Sequence, residues 1–304
     1  MTVLFSPDRE PQKIFIHVGA HKTGTTLIQS YLHQFFNNNL YFYLDPEVIN
    51  NSGLLGYLYG LESKPVNLIN LARKSGLSQD ATLIVSHESL LGNSGLQQIG
   101  GNSYFYGIFR KSAKRLRLLL PEADIHVIFY IRRQDEFLES MYLELLATVN
   151  TDYTFNKFIS IQEPTRLSWL RVITDLEDVF GADHVQVALF DDIRSGAPTF
   201  IANFMRRIGI TVSPDTIPDL GKQRPSLSRG AYYLANMAMR SGMPIKYRRK
   251  LNDFLRSRWT NKTHKSANLL SCEHRYGLLS SCKPDNSVLF NKYFPDLDIA
   301  LWHS

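Results

Sequence analysis

Cysteine is scarce in this chain: Cys272 and Cys282 are the two among 304 residues. That excludes a disulfide-stapled fold, and no C-x-x-C pair occurs. His274 between them does not complete a zinc set, and the two read as ordinary buried thiols rather than a bridge. Long apolar runs are also missing, and none approaches the ~20 residues a membrane-crossing helix needs. Residues 1–11 are polar and carry Asp8, Arg9 and Glu10, unlike a secretory leader. The expectation is a soluble, cytoplasmic protein with no membrane span. Dense basic clusters and recognisable nucleic-acid modules are lacking too, so nucleic acid is not an expected partner. The formal charge of +6 favours anionic partners only weakly. Repeats, low-complexity tracts and clear linkers are absent. One domain over 1–304 is the simplest reading, with a variable excursion at about 45–80 and a mainly helical part over 221–304.

What is present is concentrated between Ile14 and Gln29. Ile14, Phe15, Ile16 and Val18 form a short apolar run, rich in β-branched residues and ended by Gly19, the pattern of a buried parallel strand. Leu27, Ile28, Tyr31, Leu32, Phe35 and Phe36 recur at helical spacing, so a helix follows the loop Gly19 to Thr26 directly. Strand, glycine-containing loop and helix N-terminus together make an anion site, because unpaired N–H groups and the positive end of the helix dipole converge there. Lys22 adds a cation, and Thr25 and Thr26 add hydroxyls. Gly19 and Gly24 have the spacing of the NTPase loop G-x-x-x-x-G-K-[ST]. Thr25, however, stands where its lysine belongs, and Lys22 precedes the second glycine. That departure counts against an ATP or GTP site.

Further strands are expected at Leu40 to Leu44, Ala81 to Val85, Ile125 to Ile131 and Val185 to Phe190, with helices between and after them. The alternation points to an α/β protein with a parallel sheet, whose strand carboxyl ends face the ligand crevice. That puts His87 and Glu88, just past Val85, on the same edge as the Lys22 loop. Read from position alone, Glu88 is a cleft-edge carboxylate or a helix cap, and His87 a loop anchor ahead of a catalytic side chain. Arg132 sits at the end of the strand Ile125 to Ile131, and Ser140 follows eight residues later on a helix. An arginine fork matches phosphate oxygens. Residues 221–228 form a basic, hydroxyl-rich loop with Lys222, Arg224 and Ser226, the last equally readable as a helix cap. A basic helix over 245–259 carries apolar residues at 247, 251, 254 and 255. It fits a membrane-surface helix or, the preferred reading, a solvated helix packed by one stripe. A docking helix is expected over Asp285 to Phe294.

Lys22-Thr23-Gly24-Thr25-Thr26 resembles, position by position, the Lys-[Ser/Thr]-Gly-Thr-Thr loop of sulfotransferases that use 3′-phosphoadenosine 5′-phosphosulfate (PAPS). That loop grips the 5′-phosphosulfate. Arg132 and Ser140 are similar in type, order and spacing to the family's 3′-phosphate site, with Arg133 as the alternative arginine. The chain thus resembles the bacterial PAPS-dependent sulfotransferases. The likeness is specific over 14–29 and 126–142, diffuse over 180–208 and 221–294, and absent over about 45–80. It implies a P-loop NTPase-like, three-layer α/β sandwich with a central parallel sheet and additional C-terminal helices. It implies PAPS as cosubstrate, adenosine 3′,5′-bisphosphate as product, and no metal. The sulfuryl group would pass in line to a hydroxyl or amine of a small-molecule, glycan or lipid acceptor. Lys22 would be the catalytic cation and Glu88, ahead of His87, the base. Thr23, Gly24, Thr25, Thr26, Arg132, Ser140, Lys222 and Arg224 would hold the nucleotide. The rival readings are a kinase on the same fold, which would need ATP and Mg²⁺, and a non-catalytic partner protein that retains the nucleotide pocket.

Overall fold

Short apolar runs covered on both faces favour parallel pairing, and five of them pair here. β1 (Lys13–His17), β2 (Tyr41–Leu44), β3 (Thr82–Ser86), β4 (Asp124–Ile131) and β5 (Val185–Leu189) form a parallel sheet of order β2-β3-β1-β4-β5. The structure is a computed structural model and describes residues 13–35, 40–96, 105–149, 151–161, 167–220 and 225–303. The helices are α1 (Thr25–Phe35), α2 (Pro46–Asn50), α3 (Leu54–Tyr59), α4 (Leu68–Lys74), α5 (Phe109–Leu119), α6 (Gln134–Ala147), α7 (Phe155–Ile161), α8 (Trp169–Phe180), α9 (Ala197–Arg207), α10 (Arg229–Arg240), α11 (Ile245–Arg258), α12 (Cys272–Tyr293) and α13 (Ala300–His303). No described helix is long and apolar enough to cross a membrane.

Alternation along the strands builds three layers. Phe15, Ile84, Ile128 and Tyr130 point to one face, where Leu27, Ile28 and Leu32 of α1 and Phe200, Phe204 and Met205 of α9 cover them. Ile14, Ile16, Val85, Val127 and Phe129 point to the other, against α5, α6 and α8. The excursion after β2 lies on this second face. It holds three short helices rather than the one weak helical patch its composition indicates. Asp45 caps α2 through the N–H of Glu47 at 2.8 Å, and Asn67 caps α4 through Asn70 at 3.0 Å. Their apolar residues Ile49, Leu54, Leu58 and Leu68 join the core.

Two C-terminal expectations change. α11 does not pack by the stripe 247, 251, 254 and 255: Tyr247 and Phe254 are exposed. The buried set is Arg248, Asn252 and Leu255. Asn252 donates to the Leu146 carbonyl at 2.8 Å and Arg248 pairs with Asp152 at 2.6 Å, so polar partners fix the helix rotation. α12 begins well before Asp285 and carries Pro284 in its interior, where a proline removes one ladder hydrogen bond. Both cysteines are free. Cys282 is buried as expected, whereas Cys272 is exposed.

Candidate active site

The loop after β1 is anchored at both ends. Val18 and Ala20 continue the sheet ladder, donating to the carbonyls of Ile128 and Tyr130 at 3.1 and 3.0 Å. Lys22 then adopts a left-handed φ of 66°, rare for a residue with a side chain, and Gly24 follows at 84°. A Cβ on Gly24 would also press to 3.0 Å on the Phe200 ring, so glycine is required there on both grounds. A Cβ on Gly19 would come within 2.8 Å of His17 Nε2 and of Thr23 Oγ1. Thr23 is wholly buried and its hydroxyl donates to the Ala20 carbonyl, so this side chain braces the loop and does not face the cleft. Thr25 and Thr26 open α1, where the N–H groups of Leu27 and Ile28 donate to the Gly24 carbonyl at 2.9 and 3.2 Å and those of Thr25 and Thr26 precede the helical ladder. The buried Thr25 Oγ1 has no hydrogen-bond partner among the described residues, and both threonines line a cleft of about 910 Å³.

That cleft lies along the carboxyl edge of the sheet and draws on the ends of β1, β3, β4 and β5. Arg132, the first residue after β4, reaches back across it. Its Nη1 donates to the Lys22 carbonyl at 3.2 Å, tying the end of β4 to the loop. The guanidinium stacks 4.8 Å from the centroid of the Phe190 ring and pairs with Glu136 at 3.3 Å. Burial lowers its pKa, while Glu136 opposes the shift. Arg133 points elsewhere: it forms a 2.8 Å ion pair with Asp135, which is fully buried and also holds Arg275. The cleft-facing arginine is therefore Arg132. Ser140 lies two turns along α6 and lines the same cleft.

Glu88 lines the cleft from the end of β3, next to His21 and Lys22. His87 does not. Its Nδ1 accepts from the Ser89 N–H at 3.2 Å and its Nε2 meets Asn50 Oδ1 at 3.0 Å, which makes it an anchor for the loop. Burial lowers the His87 pKa, with Glu88 opposing. His21 also lines the cleft and has no sequence motif of its own. Its backbone N–H donates to the Tyr106 hydroxyl at 3.0 Å, and its ring approaches the same hydroxyl at 3.1 Å and Ser89 Oγ at 3.4 Å. Burial lowers the His21 pKa and the Lys22 charge adds to the lowering, while Glu88 opposes it. Tyr106 stands 85 residues away in sequence, so no local pattern announces this contact.

Two further charges complete the walls. Lys22 Nζ meets Glu144 Oε2 of α6 at 3.2 Å. Arg194, in the turn after β5, pairs with Glu136 at 2.9 Å, the carboxylate Arg132 also holds, and lines the cleft. From the C-terminal part come Asp219, Ser226 and Asn261. Ser226 is thus a cleft residue, and the cap of α10 is Ser228, whose hydroxyl accepts from Ala231. Lys222 and Arg224 lie outside the described residues.

No family model matches the sequence, and no curated protein matches it. Among solved structures, a sulfotransferase from Alicyclobacillus acidocaldarius overlays with a TM-score of 0.52 at 14% identity, covering 97% of this chain and 100% of that one. The chain shares that protein's fold. Mouse sulfotransferase SULT7A1, crystallised with PAP, overlays at a TM-score of 0.44 with 10% identity, covering 94% of this chain and 89% of that one. The second overlay is too loose to carry weight. The first agrees with the P-loop NTPase-like, three-layer sandwich expected from the sequence.

Proposed function

We propose that the chain is a sulfotransferase that moves a sulfuryl group from PAPS to a hydroxyl or amine acceptor. The observation that carries this reading is the 3.2 Å bond from Arg132 to the Lys22 carbonyl. It couples two anion sites, one on the loop before α1 and one at the end of β4, within a single cleft. A nucleotide with phosphate-type groups at both the 5′ and 3′ positions needs two such sites. The Thr25 hydroxyl, unpartnered among the described residues, the Thr25 and Thr26 N–H groups ahead of the helical ladder and the cleft volume of about 910 Å³ fit that group.

In this reading Thr25, Thr26 and the first N–H groups of α1 hold the 5′-phosphate, and Arg132 with Ser140 holds the 3′-phosphate. Lys22 leaves Glu144 and stabilises the charge that grows on the bridging oxygen as its bond to sulfur breaks. Glu88 takes the acceptor proton as the new bond to sulfur forms. The products are the sulfated acceptor and adenosine 3′,5′-bisphosphate. Catalysis of this kind rests on positioning and electrostatics.

The test is transfer from labelled PAPS into an acceptor mixture, with calorimetric binding of adenosine 3′,5′-bisphosphate measured beside it. Lys22→Ala is expected to retain bisphosphate binding and lose transfer by about 10²-fold or more. Full transfer in that variant rejects the reading.

A further inference from the structure

The opposite edge of the sheet carries a cluster that the cleft does not use. Asp124 and His126 are two residues apart at the start of β4 and therefore share a face of the strand. β4 and β5 pair with Val127 beside Val185, so the preceding residues, His126 and His184, stand side by side. His126 Nε2 and His184 Nε2 both converge on Asp124 Oδ1, at 3.0 and 3.1 Å. The two imidazoles lie 4.8 Å apart between centroids, and Phe15 backs His126 at 5.2 Å. One ligand atom from each of the three residues falls within 4.8 Å of the others.

We propose that Asp124, His126 and His184 bind a divalent first-row transition ion, with Zn²⁺ as the best match. Two imidazoles and one carboxylate are a donor set that suits such ions and leaves a coordination position for water. Donors about 2.1 Å from a tetrahedral ion lie about 3.4 Å apart; the two Asp124–histidine distances of 3.0 and 3.1 Å are within a few tenths of an ångström of that, and all three donors already lie within 4.8 Å of one another. Strand register rather than a loop fixes two of the three donors, which lowers the ordering cost of binding. The side chains are partly open to solvent, at 30% for Asp124, 20% for His126 and 41% for His184, so an ion and its water have access. Lys13, beside Asp124 in the ladder, is the one cation whose charge reaches the carboxylate from β1. Its charge opposes the ion and sets an upper limit on affinity. Harder ions prefer all-oxygen sites, so Mg²⁺ is not expected to bind here.

The site lies at the far end of β4 from Arg132, an eight-residue strand of roughly 25 Å. Its loss therefore leaves the cleft intact. The experiment is calorimetric titration of the chelator-stripped full chain with Zn²⁺, and separately with Mg²⁺, followed by Co²⁺ and its visible absorption. One Zn²⁺ per chain is expected. Asp124→Asn and His184→Ala are each expected to weaken it at least tenfold, and Lys13→Gln to strengthen it. His184 is exposed enough for its variant to fold, and circular dichroism checks this. Absence of stoichiometric Zn²⁺ binding, or unchanged binding in both ligand variants, overturns the proposal.

Discussion

At the scale of single residues, two side chains carry consequences that can be measured. Lys22 is held by Glu144 across a partly exposed pair, with side chains 21% and 33% accessible. A bound phosphosulfate must draw Lys22 away, so the ion pair competes with the ligand. Exposed pairs of this kind contribute at most about 1 kcal/mol, so Glu144→Gln is expected to tighten adenosine 3′,5′-bisphosphate by no more than about fivefold. Calorimetry on the two proteins decides it, and weaker binding in the variant would mean that Glu144 supports the ligand instead. His17 sits at the end of β1, its Nδ1 2.8 Å from Ser86 Oγ and its Nε2 buried without a partner among the described residues. Burial drives its pKa from the ordinary 6.5 down to about 3. The folded chain then keeps His17 neutral while the unfolded chain takes up a proton below pH 6.5. Stability is full above that pH and falls as the pH drops towards 3, by at most about 1.4 kcal/mol per pH unit from this group. His17→Gln is expected to flatten the decline between pH 6.5 and 5 in urea unfolding, and an unaltered slope would contradict the assignment.

At the scale of elements, α6 links the cleft to the C-terminal helices. It is buried nearly all round, and its first residue, Gln134, exchanges two amide hydrogen bonds with Asn286 of α12, at 2.8 and 3.1 Å. Both residues are about 1% exposed. Asn286→Ala leaves the Gln134 amide unpaired in the core and is expected to cost about 1–3 kcal/mol. The double variant Gln134→Met/Asn286→Leu is expected to be more stable than Asn286→Ala, because neither polar group is then stranded. Denaturant midpoints compare the three. This pairing spans 152 residues and has no local signature. The contrast with the strands is physical. β3, β4 and β5 are legible to within a residue because a doubly covered strand is an unbroken apolar run. That Lys22, Arg132 and Ser140 line one cleft is legible because the Lys22 loop and the Arg132–Ser140 pair each lie within a short stretch of sequence at the end of a strand. The rotation of α11, the continuation of α12 through Pro284 and the closeness of Lys22 to Glu144 all depend on partners far along the chain. For the same reason His87 and Glu88, adjacent in sequence, part company: Asn50 claims the histidine and the cleft receives the carboxylate.

At the scale of the whole molecule, β1 lies at the centre of the sheet and the chain builds outward from it in both directions, β3 and β2 to one side and β4 and β5 to the other. The crevice at such a switch point takes its walls from both halves. A nucleotide filling this cleft touches the loop after β1, the start of α6 and the C-terminal part at once, and none of these contacts survives unfolding. Binding therefore appears as stabilisation of the whole chain. At a hundred times its Kd, a ligand of the native state adds about 2.7 kcal/mol. For 304 residues, an unfolding entropy of about 2.1 cal/mol/K per residue turns that into a rise in Tm of about 4 °C. Adenosine 3′,5′-bisphosphate is expected to give such a shift, and adenosine 5′-monophosphate at the same concentration a smaller one, because it lacks the 3′-phosphate proposed to lie on Arg132 and Ser140. Arg132→Ala should narrow the gap between the two ligands, and it should also lower both shifts, because the Lys22 carbonyl loses its donor. ATP with Mg²⁺ should not match the bisphosphate, since no lysine follows Gly24. If ATP with Mg²⁺ gives the larger shift and Arg132→Ala leaves the gap unchanged, the cleft is a nucleoside triphosphate site and the kinase reading takes the place of sulfuryl transfer.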